Sequence, residues 1–265
     1  MIMLKDVVER LRALKVALLR RSPFLAFSLD NLNIQKVDDD DPRYITIRGD
    51  ALRIYRNVEQ LQDREFAVRV IKAIIHGVMG HGIRARKLYR SYGYNTITRG
   101  VAVFAANIVA WRLFPQRLRS EGFSFDSDFL DRIFGNSFDW RGASMEEIFK
   151  YLVDIEPIKL KTVLEKPQVA KTVDENIIED AGMGDDDKNN GDGGGSVDSK
   201  SDDSPSELGH GYGADLDKML EIVNSRLQKI AAMTVNFGKL AGTEESDEIR
   251  RLIESLLKER PLPWN

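Results

Sequence analysis

Residues 182–213 read GMGDDDKNNGDGGGSVDSKSDDSPSELGHGYG, with nine glycines, eight acidic side chains and almost nothing apolar. A stretch of this composition buries too little surface to offset the entropy lost on ordering it, so it is expected to be a disordered acidic linker. That expectation partitions the chain into a body of residues 1–181, the linker 182–213 and a C-terminal segment 214–265. Asp185, Asp186, Asp187 and Asp192 do not make the linker a calcium loop. They lack the regular alternation and the closing glutamate that such a loop uses.

At 42% hydrophobic and 31% charged, the remainder has the balance of a soluble globular protein with a real core. With no cysteine, disulfide scaffolds, thiolate zinc sites, iron–sulfur clusters and thiol catalysis are all excluded. There are three histidines, His76, His81 and His210, so an all-histidine metal site would need every one. The first 20 residues carry charges every few positions and do not read as a signal peptide. No run approaches a membrane span, so no membrane is expected and the expected location is cytoplasmic. Lys and Arg outnumber Asp and Glu 26 to 20 through residue 160 and are outnumbered 13 to 22 beyond it. The split fits a basic body with an acidic arm, two units with different partners, or a linker kept soluble by its charge.

Met3, Leu4, Val7, Val8, Leu11, Leu14 and Leu18 recur at spacings of three and four and predict a helix over residues 2–20. Strand-like runs follow at 24–29, 44–48 and 52–55, with Arg48-Gly49-Asp50 as a tight turn joining the last two. From about Glu65 a long helix presents Val68, Ile71, Ile75, Val78 and Met79 on one face, with Gly80 and Gly82 as its terminators. Residues 98–114 are the most apolar segment and predict a buried helix stopped by Pro115. Ser144 and Glu147 have the spacing of a capping box that opens a short helix. Behind the linker, 215–240 and 246–259 read as amphipathic helices. Two helices make a poor domain alone, so the pair should pack back on the body. The expected fold class is α+β, a mostly helical body carrying a small antiparallel sheet, plus a C-terminal helical pair.

His76 and His81 lie within the long helical segment, five residues apart. Zinc peptidases place two histidines at i and i+4, so that both rings face one ion, with a glutamate between them as general base. Five steps at about 100° each set the two side chains on different faces of a regular helix. The rings converge only if the chain breaks at Gly80. Two readings therefore stand at this point: a metal pair brought together by the glycine, or one packed histidine and one at a helix end.

In order along the chain, several segments resemble a known family. Leu19-Arg20-Arg21-Ser22-Pro23-Phe24-Leu25 fits its start, and His76 and His81 fall on the second and third histidines of its H-E-x-x-H-x-x-x-x-H helix. Ala105-Ala106-Asn107 falls on its A-A-D pattern. Gly142-Ala143-Ser144-Met145-Glu146-Glu147-Ile148-Phe149 matches its G-x-S-x-E-E-I-Y segment, and Pro261-Leu262-Pro263-Trp264 resembles the entry to its next domain. The chain thus resembles the metallopeptidase-domain family of zincin-like modules that commonly precede a von Willebrand factor A-like domain. The resemblance implies a zincin-like body, a zinc cofactor held through His76 and His81, and protein partners: an A-like domain protein or a MoxR-type AAA+ ATPase.

The departures from that pattern bear on activity. Lys72 stands where the first histidine ligand belongs, Ala73 where the catalytic glutamate belongs, and Asn107 where the family has an acid. A carboxylate at position 73 would deprotonate a zinc-bound water, and a methyl group has no such chemistry. No catalytic residue is therefore assigned, and a catalytically degenerate binding or scaffold module is the leading expectation. The alternative is an active zinc hydrolase using His76, His81 and a third ligand.

From residue 84 to residue 119 the chain has eight basic residues and no acidic one: Arg84, Arg86, Lys87, Arg90, Arg99, Arg112, Arg117 and Arg119. Tyr89, Tyr92, Tyr94 and Trp111 interleave with them, a pattern that could hold single-stranded nucleic acid. Cations near a helix C-terminus and aromatics in a core explain it as well, and nucleic acid is not the expected partner. Asp38, Asp39, Asp40 and Asp41 before Pro42 read as a solvated acidic turn. His210, at the end of the linker, would have to be tethered at an entropic cost to join His76 and His81.

Overall fold

The computed structural model describes residues 2–155, 157–174, 176–179 and 216–258, and the linker aspartates, His210 and Pro261-Leu262-Pro263-Trp264 lie outside the described residues. The chain begins with helix α1 (Ile2–Leu19), followed by helix α2 (Pro23–Asp30). The strand expected at 24–29 is therefore a helix. Phe24, Leu25, Ala26, Ser28 and Leu29 are all buried, and apolarity alone does not separate helix from strand in so short a run. Proline at the first helical position presets the backbone angle and lacks the N–H that would go unused there. Glu245, far along the chain, completes the start: its carboxylate accepts from Phe24 N–H at 2.6 Å and from the Ser22 hydroxyl at 2.8 Å.

Strands β1 (Asn33–Val37), β2 (Ile45–Arg48) and β3 (Ala51–Tyr55) form a three-stranded sheet in the order β1-β3-β2. β2 and β3 are the expected antiparallel hairpin, turning at Gly49, whose φ of +61° suits a residue without a side chain. β1, however, pairs with β3 in parallel. The sheet is mixed, a correction to the antiparallel sheet expected. β1 reads NIQKV with four of its five positions exposed, so it carries no hydrophobic alternation that would mark it as a strand. On the far edge, Ile47 N–H donates to Ile177 O and Glu179 N–H to Ile47 O, both at 2.8 Å. The Glu179 carboxylate is held there by Thr46, by the Tyr55 hydroxyl at 2.6 Å and by Arg53.

The long helical segment divides into α3 (Asp63–Val78) and α4 (His81–Tyr92), bent by 53° at the break. Gly80 stands in the left-handed region at φ +63°, whereas Gly82 is absorbed into α4. Gly77 lets α3 lie close on the sheet: a β-carbon there would come within 2.8 Å of Ile47. At the centre runs α5 (Thr96–Leu113), opened by a capping box between Asn95 and Thr98 and ended before Pro115. Val101, Ala102, Phe104, Ala105 and Ile108 are completely buried on it. Around α5 pack α3, α4, α8 (Met145–Asp154), α9 (Pro157–Leu164), α10 (Pro167–Asp174) and α12 (Asp247–Lys258). Short helices α6 (Arg119–Gly122) and α7 (Ser127–Phe134) lead into α8, which begins on the Ser144–Glu147 capping box. α11 (Leu216–Ala241) lies against α2, α3 and α4, with Val223, Leu227 and Ile230 buried. The result is mostly helical α+β, with a small mixed sheet and C-terminal helices. No single described helix is long and apolar enough to cross a membrane.

Removing the Glu245 carboxylate would strip both partners from the start of α2. Glu245→Ala is expected to destabilise the protein by about 1–3 kcal/mol, the range for half-buried donors left unsatisfied. A lowered urea midpoint at unchanged slope is the measurement.

Candidate functional site

The break at Gly80 brings the two histidines together. His76, in the last turn of α3, and His81, opening α4, are buried at 1% and 0% exposure. Their Nδ1 atoms lie 2.8 Å apart, with ring centroids 4.9 Å apart and planes at 68°. At that distance one ring donates through Nδ1–H and the other accepts, which for two neutral rings requires opposite tautomers.

The surroundings keep them neutral. Burial drives the His76 pKa well below the usual histidine value, assisted by His81 and by the charge of Lys72, while Asn107 favours the proton. Burial likewise takes His81 down to about 3, with Arg84 and Arg112 adding repulsion. Lys72 is itself buried, its ammonium 4.9 Å from the centre of the Phe123 ring. Asn107, on α5, donates to Val103 O at 2.9 Å, but its Oδ1 and the Nε2 of both rings find no hydrogen-bond partner. Ala73 is completely buried in α3, three residues before His76.

Four of the residues singled out in the sequence thus fall in one neighbourhood: His76 of α3 meets His81 of α4, and Lys72 of α3 and Asn107 of α5 both act on His76. The donor set does not fit a zinc ion. Bound through Nδ1 at about 2.05 Å in a tetrahedral site, the two nitrogens would stand about 3.3 Å apart, whereas they lie 2.8 Å apart, at hydrogen-bonding distance from each other. The charge of Lys72 acts on His76 and would repel a dication bound there. Among the described residues no group of three His, Cys, Asp or Glu could hold an ion. The two Nε2 atoms and Asn107 Oδ1 are the groups of the cluster that a ligand would satisfy.

The basic stretch is largely engaged within the fold. Arg84 pairs with Glu146 at 2.8 Å and donates to Met79 O, and Lys87 pairs with Asp217 of α11 at 2.6 Å. Arg112 donates to the carbonyls of Trp140, Arg141 and Ala143, closing the loop ahead of α8. Arg119 stacks 4.3 Å over Trp111. Tyr92 and Tyr94 are exposed, but each meets another ring edge-on, Phe149 and Tyr89 respectively. In the acidic turn, Asp40 and Asp41 pair with Arg56 and Arg43. Sequence reasoning did not find the influence of Arg84 and Arg112 on His81. Both lie in the basic stretch, but nothing local marks the two that reach the histidine.

No protein-family model, curated protein or solved structure matches this chain.

Two buried neutral histidines make stability depend on pH. An unfolded chain takes up a proton on each ring as pH falls through about 6.5, whereas the folded chain refuses it, for His81 down to about 3. Their contribution is therefore intact above about 6.5 and declines as pH falls through that window, by up to about 1.4 kcal/mol per pH unit for each ring. Urea midpoints between neutral pH and about 5.5 are expected to fall accordingly, and His81→Gln should remove about half of the decline.

Proposed function

We propose that this chain is a divergent, non-hydrolytic member of the zincin-like metallopeptidase-domain family, acting as a protein-binding or scaffold module. The observation that carries the reading is the composition of the cluster at the α3–α4 break. Residues 72, 76, 81 and 107, which fall on the family's metal-site pattern, lie together in space, yet they supply two hydrogen-bonded neutral imidazoles, an amide and an ammonium. Position 73, where the family keeps its general base, holds a buried methyl group. Without a carboxylate there is nothing to take a proton from water, and without a third ligand nothing to hold the ion that would acidify it.

A fold that keeps the positions but exchanges their chemistry is suited to presenting a surface. Its expected partners are those of the family it resembles, an A-like domain protein or a MoxR-type AAA+ ATPase. The polar cluster then serves as a joint between α3, α4 and α5, fixing the bend by a hydrogen bond in place of a metal.

Metal content tests this reading in both directions. Purified protein is expected to hold zinc well below one ion per chain, with His76→Ala leaving the content unchanged. The combined substitution Lys72→His, Ala73→Glu and Asn107→Asp is expected to acquire stoichiometric zinc, provided its circular dichroism matches the parent. A stoichiometric ion in the parent that His76→Ala releases would overturn the proposal in favour of a zinc hydrolase. Affinity purification that recovers neither kind of partner would count against the scaffold role.

A further inference from the structure

The sheet has an edge, at β1, that the described residues leave unpaired. β1 bonds to β3 on one side only. Asn33 N–H donates to Asp50 O at 2.9 Å, so by backbone alternation residues 33, 35 and 37 face β3. The N–H and C=O groups of Ile34 and Lys36 consequently point away from the sheet.

The same two residues turn their side chains toward a groove. The register places Ile34 beside Leu52 and Lys36 beside Ile54. Leu52 and Ile54 are buried on that face at 0% and 3% exposure, yet Ile34 is 47% exposed. A cavity of about 550 Å³ opens there between α1, α2 and the sheet, with Val8, Leu11, Leu29, Ile54 and Val58 among its walls. Its charged lining is Arg12, Lys15, Lys36 and Arg56 against the single carboxylate of Asp30. Lys15 pairs with Asp30 at 2.6 Å, and Lys36 and Arg56 reach Asp38 and Asp40 outside the groove at 3.0 Å. Such solvent-exposed pairs are worth little and exchange readily for another carboxylate. Arg12 has no ion pair among the described residues.

We propose that the β1 edge and this groove take up an extended segment of another protein, adding a fourth strand whose groove-facing side chains, every second residue, include both apolar groups and carboxylates. The added strand satisfies the outward N–H and C=O groups of Ile34 and Lys36, its apolar side chains cover Ile34 and fill the groove, and its carboxylates meet Arg12 and Lys15. A helix in the groove would leave the strand edge unpaired. A second copy pairing β1 to β1 would bring the two cationic rims together, a like-charge arrangement that disfavours self-association. This surface extends the reading of the chain as a protein-binding module. None of the substitutions that test it touches α3, α4 or α5, so its failure and a failure of the metal argument are separate results.

The probe is a phage-displayed library of short random peptides, panned on the full chain, with enriched sequences made as fluorescein-labelled peptides and titrated by anisotropy. Sequences that carry apolar and acidic residues at alternate positions of one strand face (i, i+2, i+4) are expected to enrich, to slow amide exchange at Ile34 and Lys36, and to bind more weakly as salt rises. Ile34→Asp is expected to weaken binding about tenfold or more. Lys36→Pro should do the same, because it removes an outward N–H and spares every bond to β3, and an unchanged melting curve shows that the fold is kept. Lys36→Ala should cost only a few-fold. Enriched peptides that bind both variants as tightly as the parent would overturn the proposal, as would a library that yields none. Sedimentation of a dimer that Lys36→Pro dissociates would give the edge to a second copy instead. Peptide binding that emerges only once residues 182–213 are deleted would give the groove to the chain's own acidic segment.

Discussion

The left-handed turn at Gly80 is the constraint on which the middle of this protein depends. On a continuous helix His76 and His81 would point apart by about 140°. With Gly80 at φ +63°, α4 leaves at a bend of 53° and the two Nδ1 atoms come within hydrogen-bonding distance. A side chain at the turn would also crowd α11, since Val223 packs 3.0 Å from where a β-carbon would stand. One residue thereby sets the angle between two core helices, the contact between two buried rings and the seat of a C-terminal helix. A β-branched residue at that position would meet both a steric barrier in its own backbone and a collision with α11.

The cluster at that turn is polar but has no acid. Metal sites in proteins gather negative or neutral donors around a cation, whereas here an ammonium and two guanidinium groups press on two imidazoles that stay neutral because they are buried. A network of this sort adds little net stability over an apolar core of equal volume, and its value lies in admitting one arrangement of the helices and penalising others.

What could be read from residue order alone was whatever local chemistry determines. The Ser144–Glu147 capping box, the Gly49 hairpin and the apolar helix ending before Pro115 depend on neighbours within a few positions, and each is found where its residues place it. α2 and β1 were not legible for opposite reasons. α2 is buried nearly all round, so its pattern has no period, and the carboxylate that caps it comes from residue 245. β1 is exposed nearly all round and is a strand only because β3 lies beside it. The histidine pair was legible as two residues of interest, but whether they met turned on a backbone angle at Gly80 that a glycine permits without requiring. Asn107 lies beside His76, which nothing in its own local sequence requires. The cations that act on His81 were not legible, because eight stand in the same stretch and only their three-dimensional placement separates them.

Glu245 and the helices on either side of it have a consequence for how copies of this protein can be assembled. The start of α2 is completed by a carboxylate more than two hundred residues later, and α11 and α12 contribute Val223, Leu227, Ile230, Ile249 and Ile253 to the core. The C-terminal helices are thus an inserted wedge and not an appendage. A chain cut between residues 179 and 216 would remain a two-piece complex held by that wedge, and two intact chains at high concentration could trade wedges to give an interlocked pair with every buried contact preserved.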